Sequence, residues 1–155
     1  MSEGIHPEID AKIVSGLNGL LADSAVFRYK LQNYHWNVRG RQFFELHAQF
    51  QALYTAWTAH LDDIAERIRA KEATPLPTLA RCLEHTHVAE EEGTPNDKQM
   101  VENAVADLLT IHKEVREVIE DADAAEDRTT VNLLDAIADQ IQKNVWMLRA
   151  WHHGA

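Results

Sequence analysis

The sequence has little cysteine, little positive charge and no long apolar run. Cys82 is the only cysteine among 155 residues, so an intrachain disulfide is impossible and a reducing compartment is expected. No apolar stretch approaches the roughly 18–20 residues that cross a membrane. The first ten residues, M-S-E-G-I-H-P-E-I-D, lack the charged and apolar regions of a signal peptide. These absences predict a soluble, cytoplasmic protein without a membrane partner.

The shortage of positive charge limits the partners that the surface can bind. The chain has 15 Lys and Arg residues against 25 Asp and Glu residues, a formal net charge of −10. Phosphate-binding surfaces are usually basic, so a nucleic-acid-binding surface is not indicated. An acidic balance suits cations, or it serves only solubility. At this length the chain is expected to form a single domain over residues 1–155, long enough to bury a core.

Helical periodicity accounts for most of the chain. Apolar residues recur at helical spacing in four long segments, from Pro7 to about His35, from Gln42 to Ala73, from Asn96 to about Ala122, and from Thr129 or Thr130 onward. The longest connection covers residues 74–95; its segment 78–85 is compatible with a short helix, and Thr94-Pro95 is expected to cap the third long helix. The pattern predicts an all-α fold, a four-helix bundle with one long crossover carrying a short helix.

Four side chains that can bind metal lie in and around the second predicted helix: His35, His47, Asp62 and Glu66. Gly40 separates the histidines, so His35 is expected near the end of one helix and His47 a turn or two into the next. Positions 47, 51, 62 and 66 share one helix face, because eleven residues make about three turns. However, fifteen residues of helix separate His47 from Asp62 by roughly 22 Å, which no single ion spans. The spacing predicts two half-sites, His35/His47 and Asp62/Glu66, that meet across an antiparallel two-fold interface.

Other interpretations of these residues remain open. A single histidine on an apolar face is more often packed in the core than bound to metal. Asp62 and Glu66 repel each other at this spacing unless Arg67 or a metal lies between them. Imidazole and carboxylate ligands do not distinguish iron from zinc or manganese. The di-iron centre inside a single bundle needs two Glu-x-x-His pairs, and the chain has such pairs only at residues 3–6 and 84–87, in the N-terminus and the crossover.

The motif H-W-N-V-R-G-R-Q-F-F-E-L-H over residues 35–47, followed by D-D-I-A-E-R over residues 62–67, resembles the Dps family of mini-ferritins. The resemblance extends from about Pro7 to Trp151 and includes K-N-V-W-M-L over residues 143–148. It implies a ferritin-like four-helix subunit in a hollow homododecamer. Such a protein oxidises Fe(II), preferably with hydrogen peroxide, at inter-subunit sites and stores the ferric mineral, which protects against oxidative damage.

The resemblance also implies roles for individual residues. It assigns iron binding and oxidation to four residues, His35, His47, Asp62 and Glu66. It places Trp36 and Trp146 near the oxidation site. The family pattern usually has an acid where this chain has Gln51. Glutamine can ligate through its carbonyl oxygen but carries no charge, so the second iron is expected to bind more weakly than the first.

Two other functions are compatible with the sequence. Many relatives compact DNA through mobile lysine-rich tails, but here the first twelve residues contain Glu3, Glu8 and Asp10 against Lys12 alone. Counterion release requires several clustered basic residues, so the terminus does not favour DNA binding. The second alternative is a shell that binds divalent metals and has weak oxidase activity. The sequence favours the ferroxidase.

Overall fold

A computed structural model describes residues 7–154, which form five α-helices and no strand. The predicted all-α class is therefore confirmed. In chain order the helices are α1 (Pro7–Asn37), α2 (Phe43–Ala70), α3 (Leu79–His85), α4 (Asp97–Ala124) and α5 (Arg128–Gly154). The short helix α3 lies in the crossover between α2 and α4, as predicted. None of the helices in this range combines the length and the apolar character needed to cross a membrane.

The four long helices pack as a bundle around one apolar core. α1 packs against α2 and α4, α4 packs against α5, and the crossover helix α3 contacts α1. Each long helix contributes fully buried side chains, for example Leu31, Phe50, Leu108 and Leu134. Burying a side chain of this size stabilises the fold by about 1.5–3 kcal/mol. α2 has 28 residues and is about 42 Å long at 1.5 Å per residue, so groups at its two ends are far apart.

Most helix boundaries lie within two residues of the prediction, but the cap of α4 and the end of α2 differ for reasons that the local structure shows. Asn96, not Thr94, caps α4: its side-chain oxygen accepts from the Gln99 amide at 2.9 Å, and the Gln99 side chain accepts from the Asn96 amide at 3.0 Å. This capping box satisfies two N–H groups at the start of the helix. α2 ends three residues before the predicted end, because Glu72 adopts a left-handed φ of 62°, through which a right-handed helix does not continue.

A network of buried polar groups ties the crossover to α1. Asp23 is fully buried, and its carboxylate accepts hydrogen bonds from the Thr86 hydroxyl at 2.9 Å and the His87 amide at 2.6 Å. Lys30 donates to a backbone carbonyl of the crossover at 2.9 Å and lies 2.8 Å from the Asp107 carboxylate of α4. Burial raises the pKa of Asp107, although the ammonium group of Lys30 acts in the opposite direction. The crossover is therefore fixed to α1, which in turn pairs with α4.

Candidate metal centre

The turn between α1 and α2 places two histidines against each other. α1 ends at Asn37 and α2 begins at Phe43. Gly40 between them has a φ of +121°, a conformation that glycine adopts readily because it has no Cβ. As a result His35, in the last turn of α1, stacks on His47, in the second turn of α2. This is the placement predicted from Gly40. These two residues are called the histidine pair below.

Two reciprocal hydrogen bonds fix the histidine pair. Nδ1 of His35 lies 2.6 Å from the His47 carbonyl oxygen, and Nδ1 of His47 lies 2.7 Å from the His35 carbonyl oxygen. Because a carbonyl oxygen only accepts, both Nδ1 atoms donate, and the lone pair of each neutral ring is on Nε2. The rings stack with centroids 3.8 Å apart and planes 13° apart. Each ring therefore offers Nε2 as a ligand while a backbone carbonyl holds its other nitrogen, an arrangement typical of metal-binding histidines.

Asp62 and Glu66, called the acid pair below, are both exposed near the other end of α2. α2 is continuous between positions 47 and 62, so fifteen residues of helix separate His47 from Asp62 by roughly 22 Å. Within the described part of the chain, no three His, Cys, Asp or Glu side chains are grouped so that they could hold one ion. A single chain thus keeps the histidine pair and the acid pair apart.

Arg67, one of the two sources of counter-charge considered for the acid pair, faces another helix. Its Nε donates to the Thr130 hydroxyl at 3.0 Å, and its guanidinium lies 3.4 Å from the Asp127 carboxylate. Lys71 also donates to Asp127, at 2.8 Å. Burial alone would raise the pKa of Asp127, but hydrogen bonds from Lys71 and Thr130 lower it on balance. Among residues 10–154 no Lys or Arg forms an ion pair with the acid pair, which leaves it free to take a cation.

The remaining predicted site residues lie on three different helices. Gln51 of α2 is exposed one turn after the histidine pair. Trp36 of α1 directly follows the first histidine, but its indole is 54% exposed and contacts Tyr29, with ring centroids 6.2 Å apart. Trp146 of α5 is 69% exposed and lines a groove between α4 and α5.

Sequence reasoning missed two aromatic residues that contact the histidine pair. Phe43 stacks on His47 with ring centroids 4.9 Å apart, and Tyr54 makes a T-shaped contact with His35 at 5.4 Å. The signal was their spacing, because positions 43, 47 and 54 recur at four and seven residues and so share a face of α2. That spacing is equally typical of core residues, so by itself it does not indicate contact with the histidine pair. The contact of Tyr54 with His35 becomes apparent only in the structure, where the turn places His35 beside α2.

Comparison with known families agrees with this architecture. The Ferritin family, described as a ferritin-like domain, matches residues 14–153. A relative from Brevibacillus brevis named DNA protection during starvation protein is 39% identical over 135 residues, which cover 87% of this chain and 91% of the relative.

Solved structures of Dps proteins have the same fold. A Dps protein from Bacillus brevis gives a TM-score of 0.92 at 37% identity, covering 95% of this chain and 99% of its own. The Dps protein from Vibrio cholerae O1 gives a TM-score of 0.92 at 30% identity, covering 97% of this chain and 95% of its own. It is described as a member of a broad superfamily of ferritin-like diiron-carboxylate proteins. Dps from Listeria innocua soaked with zinc gives a TM-score of 0.87 at 32% identity, covering 90% of this chain and 94% of its own.

Proposed function

We propose that this chain, which belongs to the Dps family of ferritin-like proteins, is a cytoplasmic ferroxidase that oxidises Fe(II), preferably with hydrogen peroxide, and stores the ferric mineral in a hollow dodecamer. The observation that carries this proposal is the geometry of α2. A fixed histidine pair lies at one end, and an acid pair without an internal counter-charge lies near the other. An antiparallel two-fold partner would bring the histidine pair of each subunit to the acid pair of the other.

In the proposed centre iron is the substrate, and each of two subunits contributes half of the ligands. The histidine pair supplies two neutral Nε2 donors, while the acid pair of a second subunit supplies oxygen ligands and negative charge. Two Fe(II) ions give one electron each to one hydrogen peroxide molecule, whose O–O bond breaks, and two protons complete two water molecules. Negative ligands favour this step because they stabilise Fe(III) more than Fe(II). Zinc or manganese suits the same ligands and is expected to compete.

The surface of the chain also supports assembly. Tyr29, Leu79 and Leu83 are exposed, and they surround a cavity of about 730 Å³ between α1 and the crossover. Cys82 is buried beside them. Apolar side chains grouped around a concave surface are typical of interaction sites. A second copy of the chain on this side would bury them.

The direct test combines assembly with turnover. Sedimentation should give a particle of about 211 kDa, which is 12 × 17.6 kDa. The purified particle should oxidise Fe(II) faster with hydrogen peroxide than with oxygen. Faster oxidation with oxygen would contradict the proposed oxidant. A protein that sediments only as a monomer would contradict a centre shared between subunits. A particle that binds iron tightly but hardly oxidises it would favour the metal-binding shell.

Gln51→Glu is expected to tighten binding of the second iron and to speed oxidation by peroxide. Gln51 lies one turn after His47 on the same face of α2. Its neutral amide offers an oxygen ligand but does not offset cationic charge. Two nearby ferrous ions repel each other, so an added carboxylate should strengthen the second, weaker site more than the first. Metal titration of both proteins, together with stopped-flow oxidation, measures the effect.

Gln49→Glu is the matched control for this prediction. Position 49 lies about 200° from position 51 around α2, so the substitution adds the same charge to the same helix on the opposite face. It should leave both affinities unchanged. Two equally tight iron sites per centre in the unsubstituted protein would contradict this interpretation of Gln51.

The name of the Brevibacillus brevis relative favours DNA as a second candidate partner, but we expect no DNA binding at physiological salt without added divalent metal. Twelve subunits would carry a formal charge of 12 × −10 = −120. Salt screens electrostatic interactions over a Debye length of about 8 Å, so only a local basic patch could bind DNA phosphates. The N-terminal sequence has no such patch. Gel shift of the metal-free particle measures this. A variant carrying Glu3→Lys and Glu8→Lys should bind in a salt-dependent manner, whereas binding by the unsubstituted particle would reveal a basic patch on the folded surface.

A further inference from the structure

The histidine pair forms the middle of a column of four rings. Phe43 and His47 have centroids 4.9 Å apart and planes 20° apart, and the two imidazoles are 3.8 Å and 13° apart. One face of an imidazole accommodates one stacked ring, so Phe43 and His35 lie on opposite faces of His47. Tyr54 contacts the other imidazole, His35, in a T-shaped arrangement, with centroids 5.4 Å apart and planes at 76°. The order of this aromatic column is Phe43, His47, His35, Tyr54.

We propose that Phe43 and Tyr54 are positioning residues of the metal centre, which hold the two imidazoles in the orientation in which their Nε2 atoms bind an ion. The inference rests on the proposed function, because it requires the histidine pair to act as ligands. Neither Phe43 nor Tyr54 is a ligand of the metal. Both act through the imidazole that they touch.

The hydrogen bonds of the histidine pair do not fix the rings by themselves. Each Nδ1–H···O=C bond holds one nitrogen in place, but the ring can still tilt about that nitrogen. The torsion between an sp³ carbon and an imidazole ring has broad minima, so the tilt is soft unless neighbouring atoms restrict it. Phe43 against His47 and Tyr54 against His35 restrict this tilt, because tilting either imidazole drives its atoms into the neighbouring ring. Phe43 and Tyr54 therefore restrict the ring tilt that the two hydrogen bonds leave free.

Tyr54 is itself held by groups from two helices. The guanidinium carbon of Arg28, on α1, lies 5.8 Å from the Tyr54 ring centroid, a distance at which a cation and a ring attract each other. Nε of Arg28 also donates to the Thr58 hydroxyl at 3.1 Å, and that hydroxyl donates to the Tyr54 carbonyl at 2.8 Å. The contacts of Tyr54 with both His35 and Arg28 involve its ring. The ring, not the hydroxyl, is therefore the group expected to position His35.

Binding of Co(II) to the assembled protein tests this role without iron turnover, because visible absorption reports both the affinity and the coordination number of the ion. Tyr54→Met and Phe43→Met replace a rigid ring with a flexible side chain that still fills space. Each is expected to weaken Co(II) binding by about 10-fold or more, as loss of a group that orients a ligand does, and to change the absorption bands. Tyr54→Phe keeps the ring and should bind Co(II) like the unsubstituted protein.

Phe50→Met is the matched control. It removes the same kind of ring from the same helix, but Phe50 packs against Tyr34, with centroids 5.6 Å apart. Its Co(II) affinity and spectrum should stay unchanged. An equal loss in this control would show that general packing of α2 sets the affinity, and it would overturn the proposal. Unchanged binding in Tyr54→Met or in Phe43→Met overturns the role of that ring.

His35→Ala separates failure of this inference from failure of the proposed function. If His35→Ala binds Co(II) as tightly as the unsubstituted protein, the histidine pair is not a ligand pair and both proposals fall. If His35→Ala loses Co(II) while the two methionine variants keep it, only the positioning role falls. Phe43 is half-buried near the start of α2, so Phe43→Met decides the question even where Tyr54→Met does not assemble.

Discussion

Particles that mix His35→Ala chains with Asp62→Ala chains are expected to recover about a quarter of the unsubstituted rate of Fe(II) oxidation, although each variant alone is nearly inactive. In a uniform particle of either variant, every centre lacks a ligand. Disturbing a ligand or its support typically costs 10-fold or more in metal affinity or activity. Recovery in the mixture requires that one centre take its ligands from two chains.

The expected fraction follows from two-fold symmetry. An interface between unlike chains contains two centres. One centre lacks both His35 and Asp62, while the other joins the intact histidine pair of one chain to the intact acid pair of its neighbour. Random one-to-one mixing makes half of the interfaces unlike. Since one of the two centres in each is intact, about one half times one half, or a quarter, of all centres are complete.

The measurement is the initial rate of Fe(III) formation with peroxide after the two variants are dissociated and reassembled together. A mixture of His35→Ala with His47→Ala is the matched control. Both substitutions lie in the same half-site, so no interface regains a complete centre. Recovery in this control, or its absence in properly mixed His35→Ala and Asp62→Ala particles, would contradict a centre shared between subunits.

The helices and the separation of the two half-sites were predictable because they depend on local spacing. Apolar periodicity gave the four long helices, and Gly40 gave the turn that joins the histidines. The continuous run from position 47 to position 62 then determined their distance from the acid pair. The cap of α4 was not predictable in the same way. Thr94 and Asn96 both suit a cap, and only the reciprocal bonds with Gln99 decide between them.

Contacts between helices could not be read from one sequence. Arg67 follows the acid pair directly, yet its position around α2 directs it to Asp127 beside α5. Tyr54 shows ordinary core spacing, and its contact with His35 depends on how α1 docks against α2. Lys30 is a charged residue in an apolar pattern, and its burial depends on partners that lie on the crossover and on α4. In each case the deciding partner is more than ten residues away.

Lys30→Met is expected to lower the free energy of unfolding by about 3–5 kcal/mol, the usual cost of removing one partner of a buried ion pair. The side chains of Lys30 and Asp107 are only 8% and 15% exposed, and they lie 2.8 Å apart. Without the ammonium group, the Asp107 carboxylate stays buried near Glu91 and Asp23, which also disfavour its charge. At fixed protein concentration the melting temperature should fall by about 6–20 °C.

The loss of folding stability in Lys30→Met should increase as pH rises. Burial already raises the pKa of Asp107 in the folded protein, and removing Lys30 raises it further. The folded variant then binds a proton that the unfolded chain releases, so stability decreases as pH rises through this range. Lys30→Met should therefore be less destabilised near pH 5 than near pH 8. The double variant Lys30→Met/Asp107→Leu removes the buried charge as well and should regain most of the stability.

Lys143→Met is the control for loss of a lysine. Lys143 pairs with Asp139 at 3.1 Å on the surface of α5, with side chains 60% and 64% exposed. Its removal should change stability by no more than about 0.5 kcal/mol, because solvent screens an exposed pair. If Lys30→Met costs no more than this control, the Asp107 carboxylate is not a confined buried charge, and Lys30 does not fix the crossover to α1 and α4. If the double variant is as unstable as Lys30→Met, the loss arises from packing around Lys30 and not from an unpaired buried charge.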